Sequence, residues 1–183
     1  MRAVDRILAD ILRVNHAGEC GAIRIYTGQR YLARWRSPDL LTFLDQALLD
    51  ERGHKDEFAA LMKQRGIRPC GALALWGVGG WLLGLATAGL GRSAILVCTE
   101  AVERTVHAHL QAQLAWLADR DPEVSEAIAA IQVEELAHLE GARERRGSRG
   151  GKVLDAFVSK ATELLIWMST YGASSRMARR IGR

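Results

Sequence analysis

Hydrophobic positions recur at helical spacing along the chain, and they do so most clearly near its end. From about Val153, the residues Leu154, Phe157, Val158, Ala161, Leu164, Leu165, Met168 and Tyr171 fall on one helix face, and the segment ends in Arg176, Arg179, Arg180 and Arg183. Five further helices are read over residues 5–34, 38–65, 72–90, 93–118 and 122–145. Short turns at 35–37 and 119–121 make two antiparallel hairpins, and Arg-Gly-Ser-Arg-Gly-Gly at 146–151 is the clearest linker. The third segment differs from the rest, because residues 69–91 carry no charge and include seven glycines. The chain is therefore expected to be all-α.

A second regularity lies over the first. Glu19, Glu51 and His54 are followed, each 84 positions later, by Glu103, Glu135 and His138. In each half a lone glutamate precedes a Glu-x-x-His unit by 32 residues, so Glu and His project from one helix face. The same offset relates Gln29 to Gln113 and the acids Asp50 to Glu134. It also relates Ser37-Pro38 to Asp121-Pro122, each read as a helix N-cap followed by proline at the first helical position. One Glu from each of two helices and Glu-x-x-His from each of two others is the ligand pattern of a dinuclear metal centre in a four-helix bundle. The fold expected is a ferritin-like four-helix bundle made of two repeated hairpins, with an apolar crossover and a C-terminal amphipathic helix. As one domain over 1–183, it has repeat one at about 5–65, crossover 69–91, repeat two at about 93–145 and tail helix at about 152–180.

Composition narrows this picture. The 183 residues and 49% hydrophobic content suit one compact core. Cys20, Cys70 and Cys98 form no CxxC pair and are read as small buried apolar residues of a reducing compartment. No apolar signal stretch follows Met1, so an intracellular chain is expected. The net charge of +4 is uneven, since residues 143–183 hold ten Lys or Arg against three acids while residues 1–142 are net acidic. Without a reading motif or interleaved aromatics, that basic tail does not point to nucleic acid. It suits a helix packed on the bundle or laid on an anionic membrane surface.

The charge-free segment is long enough to cross a bilayer. A single crossing would place the two half-sites on opposite sides of the membrane, which their convergence forbids. Two readings remain: a crossover helix buried all round, or an apolar surface with Trp76 and Trp81 as interfacial anchors that meets a membrane or a lipid-like substrate. The basic amphipathic tail favours the second.

Four carboxylates and two imidazoles without a thiolate suit iron or manganese, and iron is the expectation. Such ligands can bridge two metals about 3.5–4 Å apart and leave open positions for dioxygen. Solvated helix-surface acids would not need the repeat.

The runs Arg13-Val14-Asn15-His16-Ala17-Gly18-Glu19, Arg24-Ile25-Tyr26-Thr27-Gly28-Gln29, Cys98-Thr99-Glu100-Ala101-Val102-Glu103 and Glu134-Glu135-Leu136-Ala137-His138 resemble the aerobic demethoxyubiquinone hydroxylases of ubiquinone biosynthesis. The resemblance covers nearly the whole chain. It implies two iron ions, ferrous when reduced, held by Glu19, Glu51, His54, Glu103, Glu135 and His138 as the catalytic set. It further implies a monooxygenase that adds a hydroxyl to the ring of a demethoxylated, polyprenylated quinol with dioxygen, from the cytoplasmic face of a bacterial inner membrane or the mitochondrial matrix side. A homo-oligomer or partner proteins of ubiquinone biosynthesis stay open as companions. The family often has His-Tyr where this chain has His109-Leu110, so no role is carried over to that tyrosine. His109, about 240° around the helix from Glu103, is expected beside the site or on the surface and not as a ligand. Tyr26 and His16 share a helix face with Glu19 and are expected to touch the ring or support the ligands, or simply to fill the core. Two rivals use parts of the same pattern: an iron-storing or peroxide-handling ferritin-like protein, and a non-catalytic quinone-binding assembly subunit.

Overall fold

In a computed structural model, residues 6–147 and 150–170 are described, and they form six helices. These are α1 (Arg6–Arg36), α2 (Leu41–Gln64), α3 (Leu73–Leu90), α4 (Arg92–Leu117), α5 (Pro122–Arg146) and α6 (Lys152–Thr170). The fold is an all-α bundle. Tyr171 and the four terminal arginines lie outside the described residues, so only the first part of the amphipathic tail can be placed.

Contacts between side chains fix how the helices run. Arg30 pairs with Asp45 across α1 and α2. Asn15 and Gln113 exchange two hydrogen bonds of 2.7 and 3.0 Å between α1 and α4. His54 meets Glu134 and His138 meets Asp50 between α2 and α5. With His54 beside Glu19 and Tyr26 donating to Glu103, the numbering rises on one helix as it falls on the other in each of the three pairs, so these neighbours are antiparallel. Among the described residues the two larger of four apolar clusters fill the two ends of the bundle. One includes Leu12, Phe58, Leu110 and Ile128, the other Tyr26, Leu44, Leu48 and Leu96. The glutamates and histidines of the repeat lie between them in sequence on all four helices, and they form a polar layer with hydrocarbon on either side.

The two hairpins begin their second helices differently. Asp121 caps α5 as expected, its carboxylate accepting from the Val124 N–H at 3.1 Å. Ser37 does not cap α2. A 3-10 turn over Pro38–Leu40 intervenes, the Leu40 N–H donates to the Ser37 backbone carbonyl at 3.0 Å, and the Ser37 hydroxyl is buried without a partner. The tighter turn supplies a backbone acceptor where a longer helix would need a side chain.

Helix α3 lies along α1 with almost no side chain between them. A methyl group built on Gly80 would come within 2.4 Å of the Gly21 carbonyl oxygen, and one on Gly84 within 2.2 Å of the Ile25 carbonyl oxygen. Only 28% of α3 is buried, although it is the one described helix long and apolar enough to cross a membrane. The reading of a crossover helix buried all round is therefore wrong, because glycine lets α3 sit on one side of the bundle and keep its other face outside. Leu75, Val78, Trp81, Leu82 and Leu90 are exposed there. Trp76 corrects the other reading: it is 6% exposed, and its Nε1 donates to Ser169 of α6 at 2.8 Å, so it is a core residue and no surface anchor. Cys70 and Cys98 are buried, whereas Cys20 is only partly so.

Candidate metal centre

Six residues chosen by the repeat come together inside the bundle. Glu19, Glu51, His54 and Glu135 each offer one donor atom within 4.8 Å of the others, and Glu51, Glu103, Glu135 and His138 do the same. Glu51 and Glu135 belong to both groups. All six are buried, with Glu51 0% and Glu135 1% exposed. Each group has one glutamate and one histidine of its own and shares the two central carboxylates, as a doubly bridged pair of metals would require.

The histidines are aimed from both sides. His54 Nδ1 lies 3.3 Å from Glu135 and 4.0 Å from Glu19, and His138 Nδ1 lies 3.6 Å from Glu51 and 3.8 Å from Glu135. Their outer nitrogens are held elsewhere: His54 Nε2 meets Glu134 at 2.9 Å, and His138 Nε2 meets Asp50 at 3.0 Å. In the neutral imidazole, a carboxylate on Nε2 fixes that nitrogen as the N–H and leaves Nδ1 as the lone pair that would face a cation. Both Nδ1 atoms, both oxygens of Glu51 and one of Glu135 are buried without a hydrogen-bond partner among the described residues. Orphaned donors of this kind, all oxygen and imidazole nitrogen, fit a pair of hard or borderline divalent cations.

Electrostatics says the same in energetic terms. Burial, reinforced by neighbouring carboxylates, pushes Glu51 and Glu103 well above the usual carboxylate range, and burial holds Glu19 at about 7. Glu135 alone goes below its usual range, because the two imidazoles beside it, His138 and His54, outweigh its burial. Four carboxylates at contact distance in hydrocarbon cannot all be ionised unless cations or protons accompany them.

The supporting residues fall out unevenly. Tyr26 lies in the core, 1% exposed, and its phenol donates to Glu103 while burial raises its own pKa well above the ordinary value. His109 is no ligand. It is 3% exposed on the wall of a cavity, and its Nε2 meets Glu163 of α6 at 2.9 Å. His16 is buried beside Lys55 and Asp56, burial lowers its pKa, and no hydrogen bond joins it to the six residues. The repeat had matched Asp50 with Glu134 without giving either a role; their offset of 84 was the signal that they serve the site. The Asn15–Gln113 pair was also missed.

A cavity of about 450 Å³ reaches this layer. Its floor includes Glu19, Glu51, Glu103 and Glu135, its polar wall Asn15, His109 and Gln113, and its outer part Leu82 of α3 and Phe157 of α6. Leu82 is 56% and Phe157 62% exposed, so an apolar passage runs from the surface between α3 and α6 to the carboxylates. The size suits a small organic ring.

The chain is 39% identical over 142 residues to the mouse mitochondrial NADPH-dependent 3-demethoxyubiquinone 3-hydroxylase, covering 74% of this chain but 62% of that protein, less than two thirds of its length. It is 35% identical over 160 residues to the 3-demethoxyubiquinol 3-hydroxylase of Rhodospirillum rubrum, covering 86% and 75%. With the NADPH-dependent enzyme of Dictyostelium discoideum it shares 34% over 172 residues, covering 90% and 77%. Residues 6–169 match the family described as ubiquinone biosynthesis protein COQ7, and the chain belongs to that family.

Proposed function

We propose that this chain is a di-iron monooxygenase that hydroxylates the ring of a demethoxylated polyprenyl quinol in ubiquinone biosynthesis. The observation that carries this is the pair of four-residue groups sharing Glu51 and Glu135 at the floor of an apolar cavity. Glu19 and His54 would hold one iron, Glu103 and His138 the other, with Glu51 and Glu135 between them. When bound, the iron pair supplies activation of dioxygen, one oxygen atom going to the ring and the other to water with two electrons from a reductant.

The remaining chemistry belongs to the chain. Asp50 and Glu134 keep the two imidazoles in the tautomer that presents Nδ1. The apolar clusters on either side keep water from the layer. Asn15, Gln113 and His109 are the polar groups a ring oxygen would meet on the way in, and Trp76, Leu83 and Ile166 give the ring an apolar wall. An isoprenoid tail stays outside. The exposed Leu75, Val78, Trp81 and Leu82 of α3 and Phe157, Leu164 and Trp167 of α6 form the surface along which it would lie, on a membrane face. Relatives named as mitochondrial support a mitochondrial setting, and the Rhodospirillum rubrum relative a bacterial one.

The test is anaerobic loading with ferrous iron, then dioxygen in the presence of demethoxyubiquinol, with the product sought by mass spectrometry. A ring hydroxyl carrying oxygen from ¹⁸O₂ is expected. Iron oxidation without product would favour an iron-handling protein, and failure to take up two irons would favour a quinone-binding subunit.

A further inference from the structure

The 84-residue repeat gives the two halves corresponding seats. Leu40, Leu44 and Ala47 are buried in one, and Val124, Ile128 and Ile131 are buried in the other. Asp50 and Glu134 each hold the histidine of the opposite half. At one pair of seats the correspondence breaks. Tyr26 donates its O–H to Glu103, whereas the residue 84 positions later is Leu110, equally buried at 1% exposed and packed in the aliphatic cluster. Leucine has nothing to donate. Among the described residues no hydroxyl or amide donates to Glu19, the counterpart of Glu103, whose neighbours are the two histidines and the other carboxylates.

We propose that Tyr26 is a positioning residue that makes the two halves of the centre unequal, holding Glu103 still and leaving Glu19 as the carboxylate free to move. This inference rests on the paired-metal reading above. A carboxylate oxygen that accepts from a phenol has less electron density for a cation, and its rotation is restrained by a tyrosine that is itself locked in the core. Oε1 of Glu103 is committed in this way, which leaves Oε2 as the oxygen without a phenol on it. Glu19 has no such tie: its side-chain partner is the Glu51 carboxyl, a proton-shared contact that bound cations would replace. With a metal pair bound, Glu19 would therefore be the ligand carboxylate with freedom to rotate, on the half that also contributes His54. Tyr26 does not line the cavity, so it acts through Glu103 and not on the substrate.

Mössbauer spectroscopy of the full chain loaded anaerobically with two equivalents of ⁵⁷Fe(II) tests this directly. The wild type should give two quadrupole doublets of equal area. In Tyr26→Phe, which keeps the ring and removes the donor, the two splittings should converge. Leu110→Tyr should bring them together from the other side by supplying Glu19 with a donor. A shift in melting temperature with both doublets unmoved in Tyr26→Phe would mean that the tyrosine is only packing, and the inference would fall. A single doublet in the wild type would overturn it as well. If the wild type takes up no iron pair, the metal reading fails first, and this inference goes with it.

Discussion

At the scale of single residues the site depends on groups that never touch a metal. Asp50 and Glu134 have 21% and 55% exposed side chains, yet each fixes a buried imidazole. Asp50→Asn or Glu134→Gln should lower metal affinity by roughly 10- to 100-fold while leaving helical content unchanged. Competition with a chelator followed by circular dichroism checks both halves of that statement. The same layer sets a pH dependence for the metal-free chain. Glu19 at about 7 and His54 at about 9 both lie above their ordinary values of 4.5 and 6.5, Glu19 through burial and His54 because Glu135 and Glu19 outweigh its burial. Glu51 and Glu103 are displaced in the same direction. Each of these groups keeps its proton in the folded chain at a pH where the unfolded chain has lost it. Their stabilisation is complete below the unfolded values and disappears as pH rises through the folded ones. Melting temperature without metal should therefore fall between about pH 5 and 9, and the gain on adding ferrous iron should grow over the same range, since cations replace those protons. A flat profile in differential scanning fluorimetry would contradict this.

At the scale of elements the glycines of α3 decide where the passage lies. Gly80 and Gly84 let its backbone rest on Gly21 and Ile25, so α3 forms a rigid wall while its far face stays outside. Gly84→Ala must push two backbones apart and should cost about 1–3 kcal/mol in urea unfolding, with weaker retention of an apolar ligand in the cavity. Gly77→Ala, which meets nothing within 4 Å, should stabilise the helix by up to about 1 kcal/mol. Helix α6 is fastened differently, by Arg104 to Asp155 at 2.8 Å, His109 to Glu163 at 2.9 Å and Trp76 to Ser169 at 2.8 Å. Polar clasps hold one side of the passage, and bare backbone contact holds the other.

At the scale of the whole molecule, a carboxylate layer sealed in hydrocarbon and an apolar surface outside it are joined by one cavity. Replacing Trp81 and Leu82 together with Asp should release the chain from anionic vesicles, at a cost of up to about 3 kcal/mol for each charge that would enter hydrocarbon. Iron content should be retained. Turnover of a long-tailed quinol in vesicles should fall much more than turnover of a short-tailed soluble analogue. Equal losses accompanied by unfolding would show that these side chains serve the core.

Hydrophobic spacing and turns determined the helices and their pairing into hairpins, and the repeat determined the six residues that meet. An identical offset between chemically identical positions has no cause in local propensity, so it points to two copies of one unit facing each other. The sequence could not decide which half supports which. Spacing places Asp50 one turn from His54, but it holds His138 across the bundle, because the outward nitrogen of each ring faces the other hairpin. Nor could it tell that Trp76 turns inward while Trp81 turns outward, since both sit in a charge-free run whose period carries no sign of a face. Those outcomes depend on glycine contacts between α1 and α3 and on the packing of α6, contacts between residues far apart in the chain, and only the folded structure brings them together.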